Sequence, residues 1–391
     1  MEIKNALILL FDENAFIPVF KVPVIKRIFI ILRSLGIEGV FVIGRAELYK
    51  KLIREVHETF VFFPAEQKHE IKGLLKKGLL RGDTLILKAN SVIDRASLLK
   101  LIENYPKKRA ILVGKRNNSV FLCPEDQVEK TICEIWEKKE TDACRIEGIA
   151  GLPYLIEDEK EIKEAEDLLI KSLSLQTRAQ DSLLARYFDR NISLFFSKRL
   201  VRTKITPNQI TLFGMSIGIT SAILLSFPSY WLQLIGAFLF LFCIIIDGMD
   251  GEVARLKLKE SRFGHYLDII TDNIVHVCIF VGIGYGLYRK TGNELYKDLI
   301  FILLIGFGLC AISVYQCVLK RSEEEIRRSP LLLRLMSLVT NRDFAYVIAL
   351  LAIFDKLNWF FIATSIGTYI FAAVLWIIYY RYKKAISHKP P

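Results

Sequence analysis

The stretch "DGMDGEVARLKLKESRFGHYLDIITD", Asp247 to Asp272, lies between two apolar runs, "WLQLIGAFLFLFCIII" (231–246) and "NIVHVCIFVGIGYGLY" (273–288). Four aspartates stand at the join, although an ionisable residue in a span costs ~2.5 to 3.5 kcal/mol at the bilayer centre. If the preceding span continues as a helix, Asp247, Asp250, Gly251 and Ala254 fall at i, i+3, i+4 and i+7, on one face. Gly264, Asp268 and Asp272 fall at i, i+4 and i+8 of the next helix, again on one face. Two antiparallel helices joined by a short turn bring these faces together. Carboxylates at close range repel unless protons or a cation neutralise them. Oxygen-only ligands favour a hard ion, Mg²⁺ or Mn²⁺, which commonly binds one or two carboxylates together with substrate phosphates. Gly251 removes a side chain where a substrate approaches the backbone, and Arg255, one turn on, is suited to pairing with phosphate oxygens. Taken alone, the residues leave three readings: a metal and phosphate site, a cation or proton pathway, or a polar network that only ties helices together. A transporter would distribute acidic or broken segments over corresponding halves, whereas here they cluster in one helical pair.

Outward from this stretch, six spans are expected at 209–229, 231–257, 262–288, 299–319, 340–354 and 357–380, since a crossing helix needs ~20 mostly apolar residues. Basic residues cluster before the first span, between the second and third, and between the fourth and fifth. The positive-inside rule then puts both termini and the soluble domain on the cytoplasmic side. The start, "MEIKNALILLFDEN", has an apolar run too short and too soon acidic for a signal peptide, and no lipidation motif.

The whole chain has 391 residues, 52% hydrophobic, with 54 Lys+Arg against 42 Asp+Glu, a formal charge of +12. That balance favours an anionic partner, a phosphate-bearing substrate, a lipid surface or nucleic acid, and charge alone does not choose among them; it is the aspartate stretch that turns the expectation away from the last. Nucleic acid is not among the partners expected. The seven cysteines show no CxxC, and the last four lie in apolar segments, so they read as reduced core residues rather than a disulfide framework or zinc site.

The first part of the chain, residues 1–155, alternates short β-type runs ("NALILLF", "VFVI", "TLILK", "AILVG") with helical patterns at Val24–Leu35, from Glu47 and from Arg95. That alternation predicts an α/β domain with a mostly parallel sheet, and Gly36 stands where a helix C-cap belongs. Residues 156–205 form a connector. In it Leu183, Leu184, Tyr187, Phe188, Ile192, Phe195 and Phe196 recur at roughly helical spacing among Arg186, Arg190, Lys198 and Arg199. This suggests a helix lying on the membrane surface, or one packed against the soluble domain. Residues 206–391 are the membrane domain, an all-α six-helix unit.

Asp247 to Asp272 reads D-x2-D-G-x2-A-R-x8-G-x3-D-x3-D, matching at every fixed position the signature of the CDP-alcohol phosphatidyltransferases. The resemblance extends through "TPNQIT" (Thr206 to Thr211) and covers roughly residues 180–385. It implies a membrane transferase of phospholipid and related biosynthesis, usually a homodimer, taking a CDP-alcohol and a hydroxyl acceptor. Asp247, Asp250 and Asp268 would hold the metal, a pair of ions with help from Asp272. Asp272 would also be the general base, and Gly251, Ala254, Arg255 and Gly264 would line the CDP site. Asn208 is expected either to touch nucleotide or to cap its helix. Arg342 and the basic Lys198, Arg199 and Arg202 are candidates for holding an acceptor phosphate, and Arg342 is equally a candidate interfacial anchor.

The α/β half has a weaker resemblance: Pro18 to Gly44 is similar to the early part of sugar-nucleotide and alditol-phosphate nucleotidyltransferases. The fusion order resembles bifunctional enzymes that make CDP-inositol and then transfer it to inositol phosphate. In the place of the glycine-rich phosphate loop, however, stands "LLFDENAF", and the metal aspartate expected after "TLILK" is Asn90. The domain is therefore expected to keep the fold without the activity. An active CTP-dependent domain is the alternative.

Overall fold

In the computed structural model, residues 3–66, 70, 80, 82–115, 119–137, 139, 142–178, 188–319 and 343–387 are described. The chain divides into two compact units, residues 1–179 with 255–258, and residues 180–254 with 259–391.

The first unit is built on a sheet whose described strands are β1 (Asn5–Leu10), β2 (Gly39–Gly44), β3 (Val61–Pro64), β4 (Thr84–Lys88), β5 (Ala110–Val113), β6 (Val120–Cys123) and β7 (Cys144–Glu147). Their order is β7-β5-β6-β4-β1-β2-β3. All neighbours are parallel except β6, which runs antiparallel to both β4 and β5. β1 and β4 are buried along nearly their whole length, as expected of central strands covered on both faces. Among the described residues, helices α1 (Val24–Ser34), α2 (Tyr49–Glu55), α3 (Arg95–Glu103), α4 (Val128–Trp136) and α5 (Ile162–Arg178) accompany this sheet. Gly36 ends α1 in the left-handed region at φ +76. Its N–H donates to Arg33 O and that of Ile37 to Leu32 O, a Schellman closure.

The second unit begins with α6 (Arg190–Leu200), followed by α7 (Pro207–Leu225), α8 (Tyr230–Lys257), α9 (Arg262–Thr291), α10 (Leu295–Val314), α11 (Phe344–Ile353) and α12 (Leu357–Ser387). Among the described residues five helices are long and apolar enough to cross a membrane, and we read this unit as a membrane domain. The fifth expected span, 340–354, corresponds among the described residues to the ten-residue α11. At 1.5 Å per residue, a helix of that length covers only about half of a ~30 Å hydrocarbon core.

Local chemistry fixes the starts of the site-bearing helices. Thr206 and Gln209 form a capping box at α7, with Pro207 at its first turn. Ser261 caps α9 by accepting from the Gly264 N–H. α7 and α9 approach closely because Gly282 and Gly286, one turn apart, present no side chain. A Cβ on them would stand 2.4 Å from Ala222 O and 2.1 Å from Leu225 O. Small residues at such crossings let transmembrane backbones meet. Around that contact Leu225, Phe240, Ile279, Ile283 and Phe361 form the buried core.

Candidate active site

α8 carries the first half of the aspartate stretch in its last turns, and α9 carries the second half in its first three. The connection, residues 258–261, is short. It turns at Leu258, whose φ of 53 is left-handed, and is closed by Lys259 N–H donating to Ala254 O. This connection brings Asp247, Asp250 and Asp268 together, each offering an oxygen, with all three oxygens within 4.8 Å of one another. Asp250 is buried, 7% exposed, and its Oδ2 accepts a hydrogen bond from the Thr211 hydroxyl on α7. Asp268 Oδ1 is buried and has no hydrogen-bond partner among the described residues. An unsatisfied carboxylate oxygen is costly to bury. Three converging carboxylates with one orphaned oxygen are the donor set of a hard divalent cation, so these residues fit the metal that the sequence implies. Asp272 stands one turn beyond Asp268 on α9, outside the three-residue group.

The remaining expected residues divide. Gly251 and Ala254 share the Asp250 face of α8 and are half-buried, and Arg255, one turn after Gly251, is exposed. Gly264 opens α9, and the Asn208 Oδ1 lies 3.1 Å from where a Cβ on Gly264 would be. The capping role considered for Asn208 belongs instead to Thr206, leaving the Asn208 side chain turned to Gly264. Lys198 and Arg199 end α6, and Arg199 lies 3.9 Å over the Phe195 ring. Arg202 is exposed in the following turn. Arg342, like Leu183, Leu184, Arg186 and Tyr187, lies outside the described residues.

Two residues given no role from the sequence belong to this site's surroundings. Thr211, quoted only as the end of "TPNQIT", holds Asp250. Glu252, a variable position of the signature, is fully buried beside Gly251. Its Oε1 accepts from Arg190 Nη1 at 2.7 Å and from the Ser193 hydroxyl at 2.7 Å. A glutamate beside the metal aspartates but off their face was the available signal, as was an arginine eight residues before Lys198, at the start of the amphipathic helix. α6 therefore meets α8 through Arg190 and Ser193, buries Ser197 as well, and leaves Phe188, Ile192, Phe195 and Phe196 exposed.

In the first unit a cleft of about 660 Å³, lined by Phe11, Asp12, Lys88, Asn90, Trp136 and Glu157 among others, opens where β1 and β4 end. Its loop after β1 is a 3-10 turn, Glu13–Phe16, whose amides are used internally. Asn14 N–H donates to Asp12 Oδ1 at 2.9 Å and Ile17 N–H to Asn14 O at 3.1 Å. Asn90 is buried, with its amide donating to Ile156 O at 2.9 Å.

Residues 204–380 match the model of the CDP-alcohol phosphatidyltransferase family. The membrane half of the chain thus carries a domain of that family. A bifunctional IPC transferase and DIPP synthase of Thermococcus kodakarensis is 31% identical over 153 residues, 39% of this chain and 33% of the relative. A phosphatidylinositol phosphate synthase of Cutibacterium acnes is 30% identical over 110 residues, 28% of this chain and 52% of the relative. Among solved structures, the inositol-1-phosphate CTP transferase from T. maritima is similar over 43% of this chain and 96% of its own, with a TM-score of 0.35 and 10% identity. The chain spans 33%, 36% and 65% of the length of three bifunctional relatives that it matches.

Proposed function

We propose that this protein transfers a substituted phosphate group from a CDP-alcohol to an acceptor hydroxyl, releasing CMP and forming a phosphodiester. The convergence of Asp247, Asp250 and Asp268 from two helices, with an unsatisfied Asp268 oxygen, carries the reading. These residues, with Asp272 beside them, would hold Mg²⁺ or Mn²⁺, as one ion or two. When bound, the metal supplies Lewis acidity that polarises the phosphoryl group and stabilises the leaving phosphate. Gly251, Ala254 and Gly264 leave space for CDP along the two helices, Arg255 pairs with its phosphate oxygens, and Asn208 reaches it across Gly264. Asp272 takes the proton of the acceptor hydroxyl as that oxygen attacks the β-phosphorus. The new P–O bond forms, the bond to the CMP oxygen breaks, and its electron pair departs with CMP.

The acceptor that fits the names of the relatives is a polyol phosphate, with Lys198, Arg199, Arg202 and Arg342 as candidates for its phosphate. The distribution of basic residues supports cytoplasmic termini and a cytoplasm-facing site, and the family resemblance supports a homodimer in the lipid bilayer. The test is CMP release by the purified full chain from a panel of CDP-alcohols and hydroxyl acceptors. Mg²⁺-dependent release is expected, abolished by EDTA, and full activity in EDTA sinks the metal mechanism. Ion flux in proteoliposomes without nucleotide would favour the transport reading.

A second reading, a two-step enzyme that makes its own CDP-alcohol, is favoured by the relatives named bifunctional. We propose instead the organisation 1–155, 156–205 and 206–391, in which the first domain keeps the nucleotidyltransferase-like fold and transfers nothing. The Asn14, Ala15 and Ile17 amides after β1 are engaged within their own turn, which takes them from the cradle a triphosphate needs. Asn90 is neutral and tied to Ile156. The cleft is lined by four carboxylates, Asp12, Glu13, Glu66 and Glu157, against Arg45 and Lys88, a balance that repels a triphosphate. Pyrophosphate release from CTP with inositol phosphate or other polyol phosphates, above a blank and retained in a chain lacking the transfer aspartates, would overturn this assignment.

A further inference from the structure

Glu252 is a carboxylate that the proposed transfer does not use, yet it is 0% exposed and follows Gly251 directly in the aspartate stretch. Burying a charge is tolerated where it is paired and hydrogen-bonded. Its partners come from α6, outside the helical pair that holds the aspartates. The Arg190 guanidinium, 13% exposed, donates to Oε1, and so does the Ser193 hydroxyl. The remaining oxygen, Oε2, has no partner among the described residues. Gly248, one turn before Glu252, faces the same contact, with Ser193 Cβ 4.0 Å from where a Cβ on Gly248 would be, an ordinary contact distance. α6 is itself anchored a second time, at its start, where Asp189 accepts the Tyr346 hydroxyl of α11. Its opposite face is apolar, with Phe188, Ile192, Phe195 and Phe196 exposed, a surface suited to the membrane interface.

Resting on the transferase reading, we infer that Arg190 and Glu252 are positioning residues. Together they clamp the juxtamembrane helix onto the turn of α8 that carries Asp250, Gly251 and Ala254, and so fix the backbone against which CDP lies. Neither residue touches the reacting atoms. Their action is on geometry: Glu252 lies within two residues of Asp250, Gly251 and Ala254, and a helix end held by a buried ion pair does not fray. Contacts that orient ligating residues from behind typically cost 10 to 100-fold in affinity or activity when removed.

The test uses the full chain in nanodiscs, with CDP as the probe in the presence of Mn²⁺. Amide hydrogen exchange is measured over 248–256 and over 273–288. Arg190→Ala and Glu252→Gln should each weaken CDP binding by roughly 10 to 100-fold. The double variant should be no weaker than either single one, because both act through one contact. Exchange should rise over 248–256 and stay unchanged over 273–288. Arg190→Lys, which keeps the cation, should recover part of the affinity. If Glu252→Gln does not fold, Ser193→Ala removes one of the two hydrogen bonds and should show the same exchange pattern with a smaller loss. CDP affinity within about twofold of the unmodified protein in these variants overturns the clamp. Exchange that rises evenly over both segments also overturns it, since that marks a general packing role. An unmodified chain that binds no CDP in Mn²⁺ removes the transferase reading itself, a result distinct from binding that ignores residues 190 and 252.

Discussion

Asp250→Asn should abolish transfer and at the same time make the metal-free protein more stable. The three aspartate oxygens lie within 4.8 Å of one another, so at an effective dielectric constant near 20 each charged pair repels by about 3 kcal/mol. Asparagine at 250 removes the two pairs that involve this residue and keeps an oxygen for the Thr211 hydroxyl. Proton sharing and solvent screening in EDTA leave about 1 to 2 kcal/mol of that relief. For a unit of this size, a gain of that order raises the melting temperature by roughly 2 to 8 °C. The unmodified protein gains in the other direction. Mg²⁺ at a hundredfold its dissociation constant contributes about 2.7 kcal/mol to the folded state, and the variant should lose that response. The melt is read by thiol-reactive dye in a full chain with Cys123, Cys133 and Cys144 replaced by serine. The remaining cysteines all lie in the membrane half, and Cys243 and Cys317 are buried there. A variant less stable than the unmodified protein in EDTA, or one with an undiminished Mg²⁺ response, refutes the reasoning.

Asp272→Asn should leave Mg²⁺-dependent CDP binding largely intact while CMP formation collapses; comparable transfer rates would remove Asp272 as the base. Gly286→Ala places a methyl 2.1 Å from Leu225 O, so α7 and α9 must part at a cost of about 1 to 3 kcal/mol. Gly308→Ala meets nothing within 4 Å and should melt like the unmodified protein, and equal melts for the two variants would contradict the packing described. In the α/β unit, burial pushes the Cys123 thiol up to about 12. Iodoacetamide at pH 8 should therefore spare it while modifying the exposed Cys144, as read by peptide mass spectrometry. Rapid modification of Cys123 in the folded chain would show that it is not shielded as described.

Much of this was legible because the signals were periodic. "NALILLF", "VFVI", "TLILK" and "AILVG" each became a strand of the sheet, since apolar runs bounded by turns leave few alternatives. The pairing of the two aspartate faces followed from helical spacing and a short turn. What escaped depended on side chains that meet across long sequence separations. Nothing in the spacing of Arg190 and Glu252 marks them as partners, and a helix read as amphipathic by its phenylalanines hid a second face made of serines. The span expected at 340–354 is met only in part among the described residues. Its apolar composition is real, but α11 begins only at Phe344 and ends at Ile353, and hydropathy does not report where a helix stops.

The six residues "TPNQIT" show how a helix start remote in sequence becomes part of the same site. Thr206 accepts the Gln209 N–H, and Gln209 returns the contact to the Thr206 N–H, so the helix start is fixed by its own side chains. Pro207 presets the first turn and gives up no needed donor. With the cap settled, Asn208 is released from capping and reaches toward Gly264, while Thr211, one turn on, points its hydroxyl at Asp250. The spacing of three between Asn208 and Thr211 puts both on the same side of α7, one addressing the start of α9 and the other the end of α8. Moving either residue by one position would swing it about 100° around the helix and lose its contact. A single helical turn thus registers the two aspartate helices against each other, which gives a physical reason for this hexapeptide to accompany an aspartate stretch some forty residues away.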